Sequence, residues 1–208
     1  MINLGSPYKA SLTGGGFLFE ETNLLLPLLM SSDRAVLIKN EILNNNVLHI
    51  NSESARKRNV SEIIRRFDNM SISFWQDYNS MSEDDQRVAI FYVIMKTYKI
   101  VFDFHINITI KKWYSSSKTV ERNDLMMELN EISANDPVVD SWTDKTKSKV
   151  ASTYLSILRH VGMLDFENHL QVLKCSNFDY YINLGETWFL EACLLLPYQI
   201  DDIKKKML

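Results

Sequence analysis

Residues 143–165 read TDKTKSKVASTYLSILRHVGMLD, and the spacing of their apolar side chains sets the fold class. At 100° per residue, Val150, Ala151, Tyr154, Leu155, Ile157, Leu158 and Val161 fill one side of a helix. Lys145, Lys149, Ser152, Ser156, Arg159 and His160 gather on the other. Gly162 stands where a helix ends in a left-handed residue, and Met163 and Leu164 can fold apolar surface back onto the last turn. The stretch is an amphipathic helix with a basic, hydroxyl-rich outer face, the chemistry that phosphate contacts require.

Charge is segregated around this helix. Thr119 to Asp144 holds seven acids (Glu121, Asp124, Glu128, Glu131, Asp136, Asp140, Asp144) and one base, Arg122, whereas Lys145 to His160 holds Lys145, Lys147, Lys149 and Arg159 and no acid. The net charge of −3 therefore averages opposed patches and does not exclude a polyanionic partner. A lysine run is most often a solvated face. Here no acid stands at i+3 or i+4 inside the run, and a purely solubilising helix usually interleaves both signs.

With 208 residues the chain can bury one sizeable core or two small ones, and only 6 Gly and 4 Pro over that length favour long helices. Cys175 and Cys193, with no CxxC and no nearby His pair, read as buried, reduced thiols of a cytoplasmic chain. Residues 1–16 lack the apolar run of a secretory signal. The longest apolar run, Val88–Met95, is far short of the ~20 residues of a membrane span. The expectation is a soluble, cytoplasmic protein without a membrane partner.

Along the chain, Thr13-Gly14-Gly15-Gly16 leads into a first helix, Phe17–Met30, kinked or ended by Pro27. The glycines lack the GxxxxGK[ST] arrangement, so a flexible turn is expected and not a nucleotide loop. A second helix, Arg34–Asn45, has Val36, Leu37, Ile42 and Leu43 as its core face. Ser52 caps a third to about Met70, with Val60, Ile63, Ile64 and Phe67 inward and Arg58, Arg65 and Arg66 outward. Arg56 and Lys57 make that helix a second basic element, although Glu62 lies within helical reach of Arg58, Arg65 and Arg66.

Ser82 opens what reads as the longest helix, with Asp85 at the reciprocal capping position and Val88–Met95 apolar all round, the mark of a central helix. Phe104, Ile106, Ile108 and Ile110 then alternate with His105, Asn107, Thr109 and Lys111, a period-two strand signal that competes with continuing helix. Ser115–Ser117 is the candidate boundary between an N-terminal region, 1–114, and a C-terminal region, 118–208, which can equally pack as one domain. After it come an acidic helix (Val120 to about Ile132), a turn at Asn135-Asp136-Pro137 and the basic helix. Residues 168–183 leave room for a small wing-like β-hairpin, and a last helix, Gly185–Leu196, precedes a charged tail, Asp201–Lys206.

Local signatures of catalysis are missing. His49, His105, His160 and His169 show no metal-ligand spacing, and no GxSxG or Cys/His motif occurs. No enzyme, cofactor, metal or small-molecule substrate is expected.

Three blocks resemble the BrxA family of bacteriophage-exclusion (BREX) systems: Tyr8–Leu18, Ser54–Arg58 with its sequel Ile63–Phe67, and Trp142–Thr146 through Gly162–Leu164. They occur in order over roughly Tyr8 to Pro197. The resemblance implies a mainly α fold, a helical bundle related to the antitermination factor NusB. It also implies double-stranded DNA binding, other BREX proteins as partners, and helix through residues 104–114. It supplies no contact motif, so the candidate phosphate contacts come from charge alone: Lys145, Lys147, Lys149 and Arg159, extended by Arg56, Arg58, Arg65 and Arg66. The competing readings are a protein–protein scaffold, using the acidic stretch and Trp75, Trp113 and Trp142, and RNA binding of the NusB kind.

Overall fold

The structure, a computed structural model, describes residues 5–207. It is mainly α. A short 3-10 turn, Ala10–Gly14, precedes α1 (Phe19–Leu29), α2 (Arg34–Asn44), α3 (Glu53–Asp68), α4 (Ile72–Ser80) and α5 (Glu83–Thr97). Then follow α6 (Lys99–Phe104), a π-helical stretch (His105–Thr109), α7 (Ile110–Trp113), α8 (Arg122–Asn135), α9 (Pro137–Asp140), α10 (Asp144–His160), α11 (Phe178–Asn183), α12 (Trp188–Ala192) and α13 (Pro197–Lys206). One cluster of buried hydrophobic side chains runs from Leu12 to Ile200, drawing on residues before and after Ser115–Ser117.

The all-apolar run becomes the central helix: every residue from Val88 to Met95 in α5 is buried. Ser82 caps α5 through its hydroxyl, which accepts from Asp85 N at 3.3 Å. The Asp85 carboxylate does not complete the reciprocal box. It accepts from Ser176 N at 2.8 Å and Ser176 Oγ at 2.5 Å, tying the C-terminal loop to α5. At 15 residues α5 is shorter than α3 and α10, because extended backbone at Tyr98 breaks it.

The contested stretch is helical. The alternation that suggests a strand is a helix with a π-bulge, and its reason is a buried polar chain. Thr109 Oγ1 lies 2.5 Å from Tyr154 Oη, which lies 2.9 Å from His105 Nδ1, while His105 Nε2 lies 2.7 Å from the Ala192 carbonyl. That carbonyl can only accept, so Nε2 carries the proton and Nδ1 accepts from Tyr154. Burial holds the imidazole pKa down, to about 4. The bulge brings His105 and Thr109 to one side, and they clamp α10 and the end of α12 to the core.

Three other expectations shift. On α2 the core face is Ile38 and Glu41, while Val36 and Leu43 are exposed. The cause is polar: Glu41 turns inward to accept from the backbone N–H groups of Asn46, Val47 and Leu48, which organises the following loop. The hairpin lies at 163–171 instead of 168–183, because Phe178–Asn183 is helical. The charged tail folds as α13, with Pro197 in its first turn, where a missing N–H does no harm.

Candidate nucleic-acid interface

Helix α10 is built as its sequence implies. Thr143 caps it by accepting from Thr146 N at 3.2 Å, and Val150, Ala151, Tyr154, Leu155, Ile157 and Leu158 are buried. Its end is a Schellman turn: Met163 N donates to Leu158 O (2.8 Å) and Gly162 N to Arg159 O (3.0 Å), with Gly162 at φ +84°. Lys145, Lys149, Ser152, Arg159 and His160 are exposed. From Lys145 to Arg159 this face runs about 21 Å at 1.5 Å per residue. Neither Lys145 nor Lys149 has a carboxylate within ion-pair reach among the described residues.

Lys147 departs from this pattern. It is buried beside the apolar stripe, so it packs against the core and is not part of the outer row.

Elements on both flanks extend the exposed face. On one side the Gly-rich segment packs against α10: Gly16 lies against Thr153, and the Phe17 ring stacks on His160 at 5.8 Å. The same segment reaches α3, where Arg65 donates to Ser11 and to Glu62 (2.9 Å). Exposed Arg58 lies one heptad before Arg65 on α3. On the other side Arg122 donates to Ser148, and Arg159 Nη2 donates to Asn168 Oδ1 at 2.5 Å. Lys118 lies beside Asn168, because Leu170 N bonds Lys118 O and Val120 N bonds Asn168 O.

The remaining arginines of α3 turn inward. Arg66, 1% exposed, donates to Phe17 O (2.7 Å), Gly16 O (2.5 Å) and Tyr98 Oη (3.2 Å), while Tyr98 donates to Glu62 (2.6 Å). Arg56 donates to Ile42, Leu43, Ile50 and Asn51 carbonyls, closing the end of α2. Both guanidiniums are consumed by the fold. Of the eight candidate cations, Lys145, Lys149, Arg159 and Arg58 are exposed, Arg65 is half-buried and paired, and Lys147, Arg56 and Arg66 are buried. Charge reasoning did not find Arg122 and Lys118. Each is isolated in sequence, and only the fold brings them beside α10.

After α10 the chain makes a hairpin. Leu164 pairs with Leu170, and Thr119 pairs with His169, both antiparallel. The 168–170 segment thus lies between 118–120 and 163–165. In chain order, the 118–120 segment, α8, the α9 turn, α10, the 163–165 segment and the returning 168–170 segment follow the connectivity of a winged helix-turn-helix. These bridges are the β structure among the described residues.

Most tryptophans proposed as a partner surface are internal: Trp75 and Trp113 are buried, and Trp142 is half-buried. The acidic stretch is partly structural as well. Glu128 is buried and accepts from Asn107 (2.6 Å), Asp136 caps α9, and Glu121 and Asp124 form the capping box of α8. Cys193 is buried and Cys175 half-buried, and the two are not bonded. Among the described residues no group of three His, Cys, Asp or Glu is placed to hold a metal, and no helix is long and apolar enough to cross a membrane.

The family model for BrxA matches residues 6–175, a span that takes in α3, α10 and the hairpin. The chain belongs to the BrxA family. It is 22% identical over 157 residues to "BREX protein BrxA" of Bacillus cereus (strain H3081.97), covering 76% of this chain and 78% of that one. It is 25% identical over 157 residues to "BREX protein BrxA" of Paramagnetospirillum magneticum (strain ATCC 700264 / AMB-1), covering 76% and 79%. In three dimensions it is similar to the crystal structure of an uncharacterized protein from Magnetospirillum magneticum. The TM-score is 0.75 at 24% identity, over 90% of this chain and 98% of that one, a likeness of fold. The BrxA match ends before α11, so the helices that follow lie outside it.

Proposed function

We propose that this BrxA-family chain is a non-enzymatic, double-stranded DNA-binding component of a BREX anti-phage system. It works in the cytoplasm alongside other BREX proteins. The observation that carries the reading is the outer face of α10, on which Lys145 and Lys149 stand without acidic partners among the described residues and Arg159 completes the row. Arg122 and Lys118 flank it on one side, and on the other Arg65 holds the segment that packs against α10, with exposed Arg58 further along α3. Ser148, Ser152 and Ser156 add neutral donors between the cations.

A convex helix with a hairpin beside it suits the major groove and adjoining backbone of a duplex. Few of the exposed groups are amides suited to reading base edges, so binding is mainly electrostatic and weakly sequence-specific. Affinity then falls steeply with salt as counterions are released. The scaffold reading loses support from the buried Trp75 and Trp113 and keeps half-buried Trp142 and the exposed acids Glu121, Glu131, Asp140 and Asp144.

The test is fluorescence anisotropy of a random-sequence duplex titrated with the protein at two salt concentrations, with structured RNA as competitor. Salt-sensitive binding that RNA displaces poorly is expected. Absence of duplex binding at low salt, or displacement by RNA at equal concentration, overturns the proposal.

A further inference from the structure

We propose that Phe166 is a wedge: the hairpin tip carries its ring into a base step of a duplex held along α10, and the protein bends the DNA there. The inference rests on the DNA-binding reading and adds a contact that charge alone does not suggest.

Phe166 is 100% exposed, against 70% for Val36, the next most exposed large apolar side chain among the described residues. A phenylalanine wholly in water contributes nothing to the core. Its position is nevertheless well defined. Asn168 N donates to Asp165 O at 3.2 Å, closing a turn around Phe166 and Glu167, and Asn168 takes the left-handed conformation at φ +66°. Asp165 N donates to His169 O at 3.1 Å, so the loop is the three-residue hairpin in which a turn is followed by a left-handed residue. Asp165 Oδ1 accepts from both Glu167 N and His169 N at 2.8 Å, bracing the tip from inside.

The hairpin is fixed to the basic face itself. Arg159 of α10 bonds Asn168, and the 118–120 segment bonds residues 168–170. A ligand lying on α10 therefore meets a tip set at a fixed distance.

The tip's chemistry argues for bases and against phosphate. Residues 165–169 read Asp-Phe-Glu-Asn-His, with no lysine or arginine to meet a phosphate. His169 Nδ1 lies 3.6 Å from both the Asp165 and the Glu167 carboxylates. What the tip offers beyond these polar groups is a flat apolar ring. Apolar side chains that enter the minor groove unstack a base step and kink the duplex, and the bend brings more backbone against the protein's cations. Flexible pyrimidine–purine steps yield most easily. Glu167 opposes the approach of phosphates, so the wedge is the part of the tip that gains from contact.

The experiment uses the full chain and two duplex probes, one carrying donor and acceptor dyes at its ends and one carrying 2-aminopurine at TA steps. Wild type is expected to raise energy transfer and 2-aminopurine emission together. The variant F166A is expected to lose both signals, and about tenfold in affinity, with the salt slope falling by the phosphate contacts that the bend adds. F166L retains a wedge and much of both signals, and E167Q tightens binding by about threefold. Duplex binding with neither signal in wild type, or F166A indistinguishable from wild type, overturns the wedge while leaving DNA binding intact. No duplex binding by wild type removes both proposals.

Discussion

Helices α3 and α10 are both basic in sequence, yet the fold uses their cations in opposite directions. The arginines of α3 at positions 56 and 66 point inward and hold carbonyl groups of α2 and of the Gly-rich segment. The cations of α10 at positions 145, 149 and 159 point outward. The difference follows from position: Arg56 and Arg66 fall on the inward side of α3, and Lys145, Lys149 and Arg159 on the outward side of α10. A guanidinium's planar fork of five donors then lets each inward arginine satisfy several carbonyls. A cluster of positive charge is thus a candidate binding surface only after each group's donors have been accounted for.

The comparison breaks most sharply at Arg66. Replacing it with Ala leaves the Gly16 and Phe17 carbonyls and the Tyr98 hydroxyl oxygen without their donor. We expect a loss of about 3–5 kcal/mol in urea unfolding from these unsatisfied buried acceptors. Arg58→Ala on the same helix should change stability by less than about 0.5 kcal/mol. Equal stabilities for the two variants would dissolve the distinction between inward and outward arginines.

Beneath α10, His105 gives a pH signature of the polar chain that seats the helix. Its folded pKa, about 4, lies below the ordinary 6.5, so the unfolded chain binds a proton first as pH falls. The stability this neutral histidine confers is complete above pH 6.5 and declines between about 6.5 and 4, by roughly 3 kcal/mol in all. Wild type should therefore lose more stability than His105→Gln over that window in denaturant titrations at each pH. Parallel pH profiles for the two proteins would sink this assignment.

Smaller effects separate the outer row from its neighbours. Lys147→Ala should destabilise the fold by about 1–2 kcal/mol through lost packing, with little change in duplex affinity measured by anisotropy. Arg122→Ala should do the reverse, lowering affinity about threefold and the salt slope by roughly one unit while the melting temperature holds. An affinity loss for Lys147→Ala larger than for Arg122→Ala would mean that burial is a poor guide to which cations touch the ligand.

Much of this is legible in the sequence. The buried stripe of α10, its Gly162 stop and the central Val88–Met95 helix follow from periodicity and turn chemistry. The direction of several cations is legible too. Lys147 stands three residues before Val150 and seven before Tyr154, and Arg56 stands seven before Ile63, which places both on apolar stripes. Other features depend on partners far away in sequence. The π-bulge answers to Tyr154 and Ala192, and the inward turn of Glu41 answers to backbone donors of the loop it shapes. Arg122 and Lys118 join the basic face only because 118–120 pairs with 168–170. The relation to NusB rests on the sequence resemblance alone.

The central claim is that the exposed cations of α10 hold duplex phosphates while those buried in α3 hold the fold. The most direct measurement is the slope of log affinity against log salt for wild type and K145E/K149E, with the melting temperature of each. We expect the double variant to lose about two units of slope and more than tenfold in affinity at an unchanged melting temperature. An unchanged slope in a folded double variant would contradict the claim.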